Sequence, residues 1–168
     1  MTTTQPKVEA IRQQVHTAFE KLTQLIDQHI ASRNAQTLYQ SPSPDEWTVT
    51  ESLAHIVEFM TYWADEIAKL VANPGRNFGR TKEDPNRIRS IEEHSHDTLE
   101  QMRLALPDSY GYLDNVLSTL TDSDLELTGH HSKFKEHTLD WFIKEFVTDH
   151  LENHILQLRE CLTTLQQR

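Results

Sequence analysis

The sequence predicts an all-α protein, an antiparallel four-helix bundle. Apolar residues recur at helical spacing in long stretches separated by loops of moderate length. Four glycines in 168 residues favour long helices over many tight turns. The length suits one domain, residues 1–168, with a sizeable core. A composition of 36% hydrophobic and 25% charged residues fits a globular chain.

Pro6 suits the first turn of a helix. From there Val8, Ile11, Val15, Ala18 and Phe19, Leu22, Leu25 and Ile26, and Ile30 share a face, which predicts a first helix over about 6–33. His29 sits at the edge of that face and is expected to be partly buried at the end of the core. His16 points to solvent. Ser41-Pro42-Ser43-Pro44 breaks the helix. Thr48 with Glu51 reads as a capping box and opens a second helix over 49–72. Its apolar face is Val49, Leu53, Ile56, Val57, Met60, Ala64, Ile67 and Val71. Asn73-Pro74-Gly75 ends it.

The loop from about 73 to 90 holds Arg76, Arg80, Lys82, Arg87 and Arg89, five of the 16 Lys and Arg residues. It reads either as a solvated basic loop or as an anion-collecting rim, since a guanidinium fork matches a carboxylate. A third helix starts near 90, is interrupted at Pro107 and Gly111, and continues to Thr121-Asp122. His94 and His96, two apart, face opposite sides and read as surface residues. Residues 122–137 show no helical period and are expected to be a loop with a short extended piece. Its three histidines, His130, His131 and His137, lack a spacing that would orient them on a metal. Thr138 caps a last helix over about 139–166.

A net charge of −10 argues against nucleic acid or an anionic membrane as a partner, because both want a basic face. The longest apolar runs are a few residues, too short to span a bilayer. The stretch after Met1 has no apolar core of a signal peptide, so the expected location is the cytoplasm. A single cysteine, Cys161, excludes an internal disulfide framework.

The last helix carries the chemistry. Its centre line reads Leu139, Ile143, Phe146, His150, His154, Gln157, Cys161, Leu165. Two histidines four apart lie one above the other on a helix and can reach one metal ion. Burying two neutral imidazoles without partners would cost about 1–3 kcal/mol each, a cost a metal removes in part. In the second helix His55 falls on a flank of the apolar face, with Glu51, Glu58 and Tyr62 nearby, and periodicity leaves its burial open. If His55 faces the last helix, the set is His55, His150 and His154. Three histidines with no fourth protein ligand describe a catalytic rather than a structural site. Zn, Ni, Fe and Co all accept imidazole. Cys161, roughly 10 Å beyond His154 at about 1.5 Å per residue, reads as an inert core thiol.

Trp47-Thr48-Val49-Thr50-Glu51-Ser52-Leu53-Ala54-His55-Ile56-Val57 resembles the second-helix opening of the DinB-like (damage-inducible) superfamily. Thr138-Leu139-Asp140-Trp141 through His150-Leu151-Glu152-Asn153-His154-Ile155-Leu156-Gln157 resembles that family's last helix. The resemblance implies an up-down-down-up bundle and a divalent metal (Zn, Ni or Fe) held by His55, His150 and His154. It also implies a small-molecule substrate and, from relatives that are bacillithiol or mycothiol S-transferases, a low-molecular-weight thiol as co-substrate. A homodimer is a further expectation from the family.

Three functions follow from this reading. The first is a metal-dependent enzyme, a thiol S-transferase or a hydrolase, with Arg76, Arg80 and Arg87 holding substrate carboxylates and Glu51, Glu58 or Tyr62 relaying protons. Gln157 is a further candidate to touch a ligand or the substrate. The second is a non-catalytic metal-binding or interaction bundle in which the ion only ties the second and last helices together. The third is a bundle without metal. Thiol dependence of turnover, a blocked fourth position and absence of bound metal separate them.

Overall fold

The computed structural model describes residues 5–167. Residues 1–4 and 168 lie outside the described residues, and with them much of the stretch read above as lacking a leader's apolar core.

The first helix, α1 (Pro6–Leu25), starts with Pro6 in its first turn and runs into a π turn over Ile26–Ile30. α2 (Val49–Ala72) opens on the Thr48–Glu51 capping box, with both hydrogen bonds present. The third helical region is two helices, α3 (Pro85–His94) and α4 (Leu99–Ser118). α4 passes through Pro107 and Gly111 unbroken. Both residues are exposed, as is Arg103, whose carbonyl loses its partner at the proline, so water can satisfy it. The inward residues Met102, Leu106, Leu113 and Leu117 hold the helix against its neighbours. Residues 122–137, expected as mostly loop, contain an antiparallel hairpin, β1 (Thr128–His131) with β2 (Lys135–Thr138). Thr138 then caps α5 (Leu139–Ile143), which continues through a π turn over Lys144–Thr148 into α6 (Asp149–Gln166).

Side-chain pairs fix the helix directions. Arg12, Phe19 and Asp27 meet Asp114, Tyr110 and Arg103 in turn, so the first helix and α4 are antiparallel. The start of α1 bonds Asp122, next to the segment whose Leu127 carbonyl holds Leu139, and Lys21 pairs with Glu152. α1 and α6 are therefore parallel. Trp63 stacks on Phe146 and His55 meets His150, so α2 runs against the last helix. The order is up-down-down-up in an all-α bundle, the topology that the resemblance implies. α2 is central: it packs on α4, α6 and α3, and 14 of its residues are buried.

The π turn has a consequence for the last helix. One extra residue in a turn rotates everything after it relative to a regular helix. The core line beyond it is Val147, Leu151, Ile155, Leu158, Leu162 and Leu165. The centre line read from regular spacing is thus corrected: Gln157 is exposed, while His150 and His154 lie on the flank that faces α2. His29 is exposed rather than partly buried, because the earlier π turn at Ile26–Ile30 turns it outward.

Candidate metal centre

His55 comes from the second turn of α2, and His150 and His154 from the first two turns of α6. His55 is 2% exposed and His154 8%. The Nε2 atom of His150 lies 3.1 Å from Nε2 of His55 and 3.1 Å from Nε2 of His154. Three lone-pair-bearing nitrogens thus converge on one point, and one donatable atom from each ring lies within 4.8 Å of the others. Four nitrogens at about 2.0–2.1 Å from a tetrahedral ion would be separated by about 3.3 Å, close to what is seen.

The protons point the same way. Burial first of all pushes the three imidazoles down, to about 2, about 3 and about 3 for His55, His150 and His154; next come Arg87 for His55 and, for the other two, the mutual exclusion of charge between adjacent rings. All three are neutral at ordinary pH, the form that ligates. With the ring protons on Nδ1, the Nε2 lone pairs face one another and call for a cation between them. Among the described residues, Nδ1 of His55 and Nδ1 of His154 have no hydrogen-bond partner, and neither has Oε2 of Glu58. His55 Nδ1 and Glu58 Oε2 face each other at 3.7 Å. A ring ligating through Nε2 carries its proton on Nδ1, and a carboxylate beside that proton fixes the tautomer and strengthens the ligand. The residues present therefore fit a divalent ion bound by nitrogen.

The wall around the triad is aromatic. Trp47 meets His55 edge-on at 5.0 Å and stacks over His154 at 6.1 Å. Phe59 meets His150 edge-on at 4.8 Å. On one side of the triad a cavity of about 430 Å³ opens, reached by His55 and His150 and lined by Phe59, Trp63, Phe134 and Phe146 with Arg80, Arg87 and Lys133 toward its rim. The segment after α2 builds the rim by pairing with the hairpin: Gly75 and Phe78 donate backbone bonds to Thr128 and His130, and His130 donates to Arg76. His131 is buried there. Its Nε2 donates to the Arg80 carbonyl at 3.0 Å, while Nδ1 accepts from the amides of Lys133 and Phe134. That pattern assigns its tautomer and makes it a latch between rim and hairpin. Gly79 fits there because its φ of +78 suits glycine and a Cβ would stand 2.8 Å from the Trp63 ring.

The other residues singled out in the sequence are dispersed. Glu58 Oε1 accepts from Arg80, whose guanidinium also lies 3.6 Å from the centre of the Tyr62 ring. Glu51 is held at the N-terminus of α2 by its capping bond. Arg76 bonds the Asn77 carbonyl and does not line the cavity. Gln157 lies near His154 and favours its protonated form, facing a second, acidic depression on the other side of the triad. Helical spacing gives no sign that Trp47 and the aromatic wall belong to the site. Trp47 stands in the quoted motif, but only the tertiary structure places it over the imidazoles.

The family model of the DinB superfamily matches residues 18–158, most of the chain and both histidine-bearing helices. The chain belongs to the DinB superfamily. The same bundle is present in a solved structure described as "YfiT from Bacillus subtilis is a probable metal-dependent hydrolase with an unusual four-helix bundle topology". That structure aligns with a TM-score of 0.67 over 99% of this chain and 87% of its own, at 13% sequence identity, so the likeness is one of fold. Comparison with curated proteins finds no match. No helix among the described residues is long and apolar enough to cross a membrane.

Proposed function

We propose that this DinB protein is a metal-dependent enzyme, in which His55, His150 and His154 bind a divalent ion and the adjoining cavity takes a small molecule. The observation that carries the reading is that Nε2 of the half-buried His150 lies 3.1 Å from Nε2 of both buried partners, His55 and His154, with one donatable atom from each ring within 4.8 Å of the others. The description of the YfiT structure as a probable metal-dependent hydrolase supports hydrolysis as the reaction class.

The ion would supply Lewis acidity toward an oxygen or sulfur atom of the bound molecule. The chain supplies the rest. Glu58, 3.7 Å from His55 Nδ1, favours the tautomer that carries its proton there, and Arg80 holds Glu58 in place. Trp47 and Phe59 keep water from the buried sides of the rings. The cavity is open on the face that His55 and His150 share, so a small molecule reaches the same point as the three nitrogens.

The test is metal content by elemental mass spectrometry of protein as purified and after zinc or nickel loading, beside a His150→Ala, His154→Ala double variant. About one ion per chain, lost in the variant, is expected, followed by metal-dependent turnover in an ester and amide hydrolysis screen. Turnover that appears only on adding a low-molecular-weight thiol would assign thiol transfer instead. No bound metal under any loading would refute the reading.

A further inference from the structure

The arginines that the sequence gathers into one loop are given different partners by the fold. Arg80 is engaged by Glu58 and Asp84, and its side chain is nearly buried. Arg89 donates to the Asn86 side chain. Arg87 differs. It sits in the first turn of α3, and Asp84 caps that turn by accepting from the amides of Asn86 and Arg87. Its guanidinium is half-buried, reaches the cavity rim and lies 5.3 Å from the centre of the Trp47 ring. It makes one hydrogen bond, from Nη1 to the Lys82 carbonyl. Among the described residues no carboxylate pairs with it within 4.0 Å; burial opposes its charge, as does Arg80, while Glu58, Glu83 and Asp84 stand further off and favour it only at a distance. A guanidinium half removed from water with no carboxylate bonded to it is costly, and Arg is well suited to holding an anion through two parallel bonds.

We propose that Arg87 anchors a single carboxylate group on a mostly apolar small-molecule substrate of this cavity, an assignment that rests on the cavity being the substrate chamber of the metal site. Three features define the ligand. The Nε and Nη2 edge of Arg87 carries no bond in the structure and matches the two oxygens of a carboxylate. The cavity floor is four aromatic rings, Phe59, Trp63, Phe134 and Phe146, which suits an apolar or aromatic body. With Arg80 neutralised by Glu58, the remaining rim charges are Arg87, Lys82 and Lys133 against Glu83 and Glu145, three against two, a balance that suits a monoanion better than a phosphate dianion. Arg87 lines the same cavity as His55 and His150, so an anion held on it shares the chamber with the triad. The cavity volume of about 430 Å³ holds a molecule of about the size of a phenyl-substituted short acid.

The test uses the full chain, metal-free and zinc-loaded, with 3-phenylpropionate, its neutral amide and phenyl phosphate as probes, titrated by calorimetry near 0.15 M salt. The carboxylate is expected to bind at least about tenfold tighter than the amide in both metal states. Arg87→Gln should shrink that preference to less than about threefold while zinc content stays unchanged. Arg87→Lys keeps the charge but not the fork and is expected to fall between; it serves as the readout if Arg87→Gln fails to fold. An undiminished preference in Arg87→Gln, no preference in the wild type, or Arg87-dependent binding that favours phenyl phosphate would each overturn the proposal. Loss of zinc binding with the Arg87-dependent preference intact would support the anchor while rejecting the metal centre, so the two readings fail separately.

Discussion

Replacing Glu58 by alanine removes the carboxylate that faces both Arg80 and His55. Deleting one partner of a buried ion pair costs about 3–5 kcal/mol, whereas an exposed pair contributes about 0–1 kcal/mol. The Arg80 and Glu58 side chains are 10% and 11% exposed, which places the pair near the first limit. In the variant Arg80 keeps Asp84 at 3.7 Å and the Tyr62 ring at 3.6 Å, so the expected loss is about 2–3 kcal/mol. At about 2–4 °C per kcal/mol for a chain of this length, the melting temperature falls by roughly 4–12 °C. The assay is urea unfolding of metal-free protein followed by far-UV circular dichroism, for Glu58→Ala, Arg80→Ala and the double variant. The double variant is expected to lose about 1–2 kcal/mol less than the sum of the singles, because each single strands a charge that the double removes. Additive losses, or single losses under about 0.5 kcal/mol, would show that this pair does not hold the wall of the site.

Zinc at about 100 times its Kd is expected to add about 2.7 kcal/mol and raise the melting temperature by roughly 5–11 °C, a shift absent in His150→Ala; an equal shift in that variant places the ion elsewhere. The three imidazoles sit well below their ordinary value of 6.5 in the fold, so the unfolded chain takes up protons that the folded chain refuses. Their contribution is fully present above about pH 6.5 and is lost as pH falls toward 3, by about 1–4 kcal/mol per pH unit in mid-window. Urea midpoints in EDTA at pH 7, 6 and 5 check this, and a flat profile contradicts it. Gly79→Ala must adopt a φ of +78 and press on Trp63, and is expected to cost about 2–4 kcal/mol in the same unfolding assay, more than an exposed Gly75→Ala with its open surroundings. Burial raises the Cys161 thiol above its ordinary value, so iodoacetamide at pH 8 should label it slowly in the native protein and quickly in urea.

The helix count beyond the first bundle elements was only partly legible. Asp84-Pro85 is a start signal, an N-cap residue before a first-turn proline, and Thr98 with Gln101 is a second capping box. The arginines and the sparse apolar residues of 84–98 mask both signals. The hairpin at 128–138 gave no alternating pattern to read: β1 is Thr-Gly-His-His and β2 is Lys-Glu-His-Thr, and what holds them is the strand-like segment after α2 and the buried His131.

What the sequence determined by itself is local. Periods of 3.6, the capping box at Thr48, the cap at Thr138 and the i,i+4 spacing of His150 and His154 depend on residues within a few positions of one another, so they survive any tertiary arrangement. The tertiary structure decided whatever depends on residues far apart in the chain. Periodicity left His55 undecided; α2 is buried nearly all round because it lies between α4 and α6, and that packing turns a flanking histidine into an interior one. Regular spacing put Gln157 in the core line; the π turn at Lys144–Thr148 rotates it out and aims both histidines at α2. Five basic residues in one loop look equivalent, and only their separate partners, Glu58 paired with Arg80 and no carboxylate paired with Arg87, distinguish them. A side chain's chemistry is written in its own position, but its burial and its counter-charge come from segments the local sequence cannot see.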